Sequence, residues 1–231
     1  MDRPVIVFHD GYSEMSCDVT MSVTCLPLSC RPCIPRTDSL PDIPMSRLRS
    51  AEIAVNRAAR KYSTSEQARR VLWSAAGWLL RCSPRPAFAW RRFVLRAFGA
   101  RIGRQVHIYP STRIYMPWNL EVGDWSAIGE DAFIYNLGLV TLGESVTLSY
   151  RSHVCAGTHD LRDPLLPLLK PPVRIESGAW IGTDAFIGPG VTVGSDAVVG
   201  ARAVVVRSVP AQTVVAGNPA RPIGMRDMRT R

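Results

Sequence analysis

Several things are missing from this 231-residue chain, and each absence closes a door. No apolar stretch approaches the ~20 residues that a membrane-spanning helix needs. The opening "MDRPVIVFHDGYSEM" has acids at both ends and only a four-residue apolar run, so it does not read as a secretory leader. Of six cysteines, Cys17, Cys25, Cys30 and Cys33 cluster near the start. They include one tight pair and no histidine at zinc-finger spacing, so no metal is expected there. A cytoplasmic setting with free thiols is the expectation. Acids are scarce over residues 47–104, where fourteen Lys/Arg face only Glu52 and Glu66. Residues 105–231 carry eleven of each sign and residues 1–46 balance to −3, so the basicity belongs to one segment. That segment suits an acidic surface or plain solvation; no nucleic-acid-binding motif accompanies it.

Residues 1–62 show no sustained apolar period and read as a poorly ordered extension. Residues 63–100 read as a basic helical leader. In "TSEQARRVLWSAAGWLLRC" (64–82), Val71, Leu72, Ala75, Trp78 and Leu79 recur at helical spacing. Thr64 or Ser65 is placed to cap its start. "SPRPAF" ends it, because proline cannot continue a helix. A second short basic helix runs to Gly99. The first helix has two readings: it covers an exposed strand edge, or its Trp73, Trp78 and arginines touch the inner face of a membrane.

From residue 101 to 224 the texture changes. Ile102, Ile108 and Ile114 are six apart, as are Val122, Ile128 and Ile134, and then Leu142, Leu148 and Val154. After an interruption come Ile175, Ile181, Ile187, Val193, Val199 and Val205. Glycine often follows the aliphatic, as in "VGDWSA", "LGESVT" and "IGTDAF". Neither a 3.6 nor a 2.0 period gives this pattern, and the alternation and hairpin turns of an antiparallel sheet are missing. Each hexad reads as a short strand plus a corner, with the aliphatic inward and glycine where a side chain would collide with the next coil. Three hexads close a triangular coil, so fifteen make about five coils. The class is mainly β, a parallel β-helix preceded by α-helices. The phase slips near Pro117–Trp118 and Leu137–Gly138 read as bulged corners. Residues 160–172, "DLRDPLLPLLKPP", read as an apolar loop resting on a neighbouring surface, and residues 225–231 as a basic tail.

His159 stands at the base of that loop in "CAGTHD" (155–160). By residue type alone it is a general base, a metal ligand, half of a Cys/His pair with Cys155, or a corner residue. Three convergent histidines would make a zinc-dependent carbonic-anhydrase-like site, and His107, His153 and His159 are available. All three follow a core aliphatic by five positions, however, and equal hexad positions on successive strands face different sides of a prism. Zinc ligands must converge at ~2.0–2.1 Å, so no metal is expected. A cysteine among small residues is more often packing than a nucleophile.

The segments "SPRPAFAWRRFVLRAFGARIG", "PWNLEVGD", "GTHDLRDP", "AWIGTDAFIGPGVTVG" and "VVAGNPARPIG" together resemble the hexapeptide-repeat acyltransferases. Within these they are similar to the exopolysaccharide, colanic-acid type O-acetyltransferases. The resemblance covers about residues 63–225. It implies a left-handed β-helix, a homotrimer, and acetyl-CoA held in clefts between neighbouring prisms. It implies O-acetyl transfer to a sugar hydroxyl of an exopolysaccharide or lipid-linked glycan, with His159 as general base. By the same resemblance Asn136 is an active-site asparagine. Asp160, by residue type, either orients His159 or starts the loop. Trp180 and Thr183 line the acetyl-CoA cleft, Ala201 lies beside the pantetheine arm, and Arg221 sits at the nucleotide end. The chain departs from the pattern at Val206, where related enzymes often carry threonine. A non-catalytic hexapeptide scaffold is the reading from another class, since fold alone does not fix function.

Overall fold

The strands of this chain wind rather than zigzag. The computed structural model describes residues 62–163 and 165–227, together with residues 54, 55 and 58, which are helical. The helices and strands from Thr64 onward belong to the unit Ala59–Arg231. Apart from residues 54, 55 and 58, the extension at 1–61, its cysteine cluster included, and residues 228–231 lie outside the described residues.

Three parallel faces form a prism. The first carries Arg101–Ile102, Leu120–Val122, Val140–Leu142, Val173–Ile175 and Thr192–Val193. The second carries His107–Ile108, Ala127–Ile128, Thr147–Leu148, Trp180–Ile181, Val198–Val199 and Thr213–Ala216. The third carries Arg113–Ile114, Phe133–Tyr135, His153–Cys155, Phe186–Ile187 and Val204–Val205. These make five complete coils. A part of a sixth, from Val209 to Ala216, is shifted out of the hexad phase, since Val209 follows Val205 by four, and so escapes the sequence count. All fifteen hexad aliphatics point inward, and none is more than 7% exposed.

The glycines and the corners divide the work of turning. A Cβ on Gly123 would lie 2.6 Å from the Gly143 carbonyl carbon of the next coil, so glycine serves close stacking there. The chain reverses instead at the residue three after the aliphatic. Trp125, Ser145, Asp184, Asp196 and Arg202 all sit there at positive φ, in the left-handed region that L-residues seldom adopt.

Register shows where the repeat is broken. Ile181 pairs with Val199, eighteen positions on, which is a regular coil. Ile102 pairs with Val122 and Val122 with Leu142, each twenty positions on, while Leu142 pairs with Ile175, thirty-three on. The extra residues all fall at one corner, between the third face and the first. Corners of a parallel prism stack, so these three irregularities line up along a single edge.

The leader closes the N-terminal end. Helix α1 spans Thr64–Arg81 and α2 spans Phe88–Ala97. The cap of α1 is Ser63, one residue before the expected Thr64 or Ser65; its hydroxyl accepts the Glu66 N–H at 3.1 Å. Trp73, Ala76 and Leu80 are buried, as are Val94 and Leu95. The first coil would otherwise present unsatisfied carbonyls, which are costly when buried. Side chains of the leader donate to them. Trp73 Nε1 reaches the Ile114 carbonyl (2.8 Å), Arg92 that of Val106 (2.9 Å), and Arg96 that of Ile102 (2.7 Å). Arg91, fully buried, donates to Ile108, Pro84, Arg85 and the Ser83 hydroxyl. Edge capping therefore holds, and much of the leader's basicity is its donor supply. At the other end, Arg221–Met225 folds back antiparallel on Thr213–Ala216.

Candidate active site

The stacked irregular corner is built from small and amide residues. Asn136 is fully buried; its Oδ1 accepts the Met116 N–H (2.9 Å) and its Nδ2 donates to the Met116 carbonyl (2.5 Å). It thus replaces a ladder pair where the bulge interrupts the coil. Asn119 Nδ2 donates to the carbonyls of Asn136 (3.2 Å) and Leu137 (2.9 Å). Gly138 lies under the returning leg of the long loop: a Cβ there would be 2.4 Å from the Lys170 carbonyl oxygen.

From this corner the chain leaves the prism as a short antiparallel pair, Thr158–His159 against Leu168–Leu169. The Asp160 N–H donates to the Pro167 carbonyl (3.0 Å) and closes the loop's base. Two aspartates shape its tip, Asp160 accepting from the Arg162 N–H (3.0 Å) and Asp163 from the Leu165 N–H (2.8 Å). His159 is exposed, with Nδ1 at 2.6 Å from the Leu166 carbonyl oxygen. A carbonyl can only accept, so Nδ1 carries the hydrogen. In the neutral ring Nε2 is then an unprotonated acceptor facing outward. The group that orients His159 is therefore the Leu166 carbonyl, while the Asp160 carboxylate is engaged with the loop backbone. Leu166 carried no signal in the sequence, because a backbone contact across seven residues leaves no side-chain signature. The apolar side chains expected to rest on a neighbour, Leu161, Leu166 and Leu169, are exposed in the single chain.

The other expected site residues lie elsewhere on the prism. Trp180 projects from the second face, half-exposed, its Nε1 donating to the Ser149 hydroxyl (2.9 Å). Thr183 and Ala201 stack at the corner between the second and third faces, where the Arg202 N–H donates to the Thr183 carbonyl (2.8 Å). Asp184 at that corner bridges Arg151 (3.0 Å) and Arg202 (3.8 Å), whose guanidinium ends stay largely exposed. Asp184 thus holds two arginines along that corner, a feature that sequence reading missed. Its signal was hexad phase, since Arg151 and Arg202 both sit three after a core aliphatic. Arg221 is exposed on the terminal strand, and Val206 is exposed just after the third face. Trp180, Thr183 and Ala201 are close in the stack. Within one chain His159 is at the opposite edge of the third face.

The competing readings of His159 meet the same geometry. Cys155 is half-buried and donates its thiol to the Gly157 carbonyl (3.3 Å). Burial pushes that thiol's pKa up, away from a nucleophilic thiolate. His107 stacks on Phe88 (4.5 Å) and His153 on Phe133 (5.0 Å), so the three histidines do not converge. Among the described residues no three His, Cys, Asp or Glu side chains gather as a metal site would require.

His153 supports a separate prediction. Its Nε2 is buried without a partner, and burial, then the nearby Arg113, lowers its pKa below the usual value. The unfolded chain therefore binds this proton more readily, so stability from this site is complete above about pH 6.5 and falls on acidification below it. His153→Phe continues the aromatic ladder and deletes the orphan nitrogen. Melting curves from pH 7 to 5 should show a smaller acid-dependent fall for the variant. An unchanged slope would exclude His153 as its source.

The bacterial transferase hexapeptide (six repeats) family matches residues 172–207. The chain is 41% identical over 148 residues to the putative colanic acid biosynthesis acetyltransferase WcaF of Escherichia coli (strain K12), covering 64% of this chain and 81% of that protein. The crystal structure of the hexapeptide-repeat acetyltransferase VCA0836 from Vibrio cholerae superposes with a TM-score of 0.67 at 25% identity, over 72% of this chain and 95% of that one. The same Vibrio cholerae protein complexed with acetyl coenzyme A gives 0.67 at 24% identity, over 73% and 93%.

Proposed function

Because the chain belongs to the hexapeptide-repeat acetyltransferases, in their exopolysaccharide branch, we infer that it moves an acetyl group from acetyl-CoA to a sugar hydroxyl of an exopolysaccharide or lipid-linked glycan precursor. The observation that carries the mechanism is the 2.6 Å contact between His159 Nδ1 and the Leu166 carbonyl. It presents Nε2 as the acceptor for the hydroxyl proton while the sugar oxygen attacks the thioester carbonyl. The C–O bond forms, the C–S bond breaks, and the proton passes through Nε2 to the departing CoA sulfur. The acetyl-CoA complex of the Vibrio cholerae relative supports the choice of donor.

The site is completed between copies. Thr183, Ala201 and the largely exposed Arg151 and Arg202 side chains suit the pantetheine and phosphate portions of acetyl-CoA, with Trp180 flanking them and Arg221 at the nucleotide end. They lie across the third face from His159, so a second copy, as in a trimer, must bring its own corner to this histidine. The exposed Leu161, Leu166 and Leu169 give the loop an apolar surface for that contact. Asn136 holds the corner from below as a positioning residue, not in contact with substrate.

The test is acetyl-CoA turnover by the purified full chain with a panel of sugars and glycans, reading thiol release and ester formation by mass. Thiol release that no glycan stimulates, with no ester formed, would favour the scaffold reading. Gly138→Ala gives a finer check. Its Cβ would push the Lys170–Pro171 backbone and carry the His159 arm with it. A displacement near 1 Å is expected to cost about 10²-fold in kcat with the fold retained. Unchanged kcat would uncouple this corner from the reaction.

A further inference from the structure

Helix α1 is apolar on two opposite faces. Trp73, Ala76 and Leu80 are buried on the prism, whereas Val71 (69% exposed), Leu72 (63%), Trp78 (65%) and Leu79 (50%) face outward. A surface helix normally has one apolar face, turned to the core, so a second one is unusual. Helix α2 extends the outward face with Trp90 and Phe93, whose rings lie 5.9 Å apart, and Trp90 Nε1 donates to the Leu79 carbonyl (3.2 Å). Trp78, Leu79 and Trp90 also line one shared apolar hollow, so the patch is continuous across both helices.

Its rim is positive. Arg81 and Arg96 are exposed and lie three residues after Trp78 and Phe93, on the flank of the same face. Arg92 and Arg96 donate to backbone carbonyls of the first coil, and the Arg96 charge also acts on the Asp124 carboxylate. Residues 62–104 carry nine arginines against the single acid Glu66, and three of them, Arg85, Arg101 and Arg104, pair with Glu130, Glu121 and Asp124 of the prism. Among the described residues no helix is long and apolar enough to cross a membrane, so insertion would be shallow.

We propose that this two-helix face docks on an anionic lipid surface, with Trp78, Leu79, Trp90 and Phe93 at headgroup depth and the arginines among the lipid phosphates. Tryptophan and arginine side by side suit that interface, where an apolar body meets anionic groups. A second copy is disfavoured as occupant, because pairing like faces would set arginine rim against arginine rim. Residues 1–46 have no sustained apolar period with which to cover a helix face. Edge capping and lipid docking therefore use opposite sides of α1: Trp73 serves the first and Trp78 the second. The proposal does not depend on the transferase reading, since its test measures partition alone.

The experiment is vesicle flotation of the full chain with phosphatidylcholine, with and without phosphatidylglycerol, for the wild type and for Trp78→Ser/Phe93→Ser. Both side chains are over 60% exposed, so the fold should survive; circular dichroism and the melting curve check this. Wild type should float with the anionic vesicles and much less with the neutral ones. The double variant should float at least about tenfold less with the anionic vesicles. Equal flotation of both proteins, or no flotation of wild type, overturns the proposal. So does a loss of self-association by the variant in the absence of lipid, which would make a second copy the occupant.

Discussion

Replacing His159 with alanine is expected to lower kcat for acetyl transfer by ~10²–10⁴-fold, the usual contribution of a positioned general base. His159 is exposed and holds only the Leu166 carbonyl, so the melting temperature should scarcely move. Two companion variants separate the mechanisms. Cys155→Ala should retain nearly full kcat, because the buried thiol is held away from its reactive form; a large loss would restore the acyl-cysteine route. Asp160→Asn should also stay within a few-fold. Asparagine can accept the Arg162 N–H as the carboxylate does, and the tautomer of His159 is set by Leu166. Were Asp160 the orienting group, its loss would present the wrong tautomer and cost far more, on the scale of ~10⁴-fold in serine-protease triads. An active His159→Ala would overturn the base assignment itself.

Arg91→Met is expected to have the largest effect on stability. The guanidinium is fully buried and spans the Ile108, Pro84 and Arg85 carbonyls and the Ser83 hydroxyl. Burial draws its pKa down, so holding the charge costs something that methionine would recover. Against that, three carbonyls would lose their donor, at ~1–3 kcal/mol each. The net loss should fall at ~3–5 kcal/mol, as for breaking one side of a buried polar cluster. Arg91→Lys should recover only part of it, because one ammonium cannot reach acceptors that a planar fork spans. Urea unfolding followed by tryptophan fluorescence, with Trp73 as the buried reporter, measures this. A loss under ~1 kcal/mol would show that α2 closes the prism without this side chain.

The prism was legible because its physics is local and repeated. Each coil imposes the same demand at every sixth residue, so fifteen small signals add, and all fifteen positions are buried. The broken phase near Pro117, Leu137 and residue 160 was legible too, as interruptions of that sum. The first of the two expected helices was placed correctly but capped one residue late. Ser63, Thr64 and Ser65 carry similar hydroxyls, and only backbone geometry chooses among them.

Other features came from contacts across the fold. Sequence counted Arg91, Arg92 and Arg96 as surface charge, because nothing local tells an exposed arginine from one that satisfies a strand edge. It paired Trp73 with Trp78, although five residues of helix set them on opposite sides, one buried and one exposed. It left Asp160 either to orient His159 or to start the loop; the carboxylate shapes the loop, and the Leu166 carbonyl holds the ring.

By itself, then, the sequence determined the coil, its inward residues and the corner where the repeat fails, because those follow from a period. The tertiary structure decided which donor faces which acceptor: the tautomer of His159, the burial of Asn136 and Arg91, and the division of α1 between prism and solvent. Such pairings depend on distance in space between residues that no period relates.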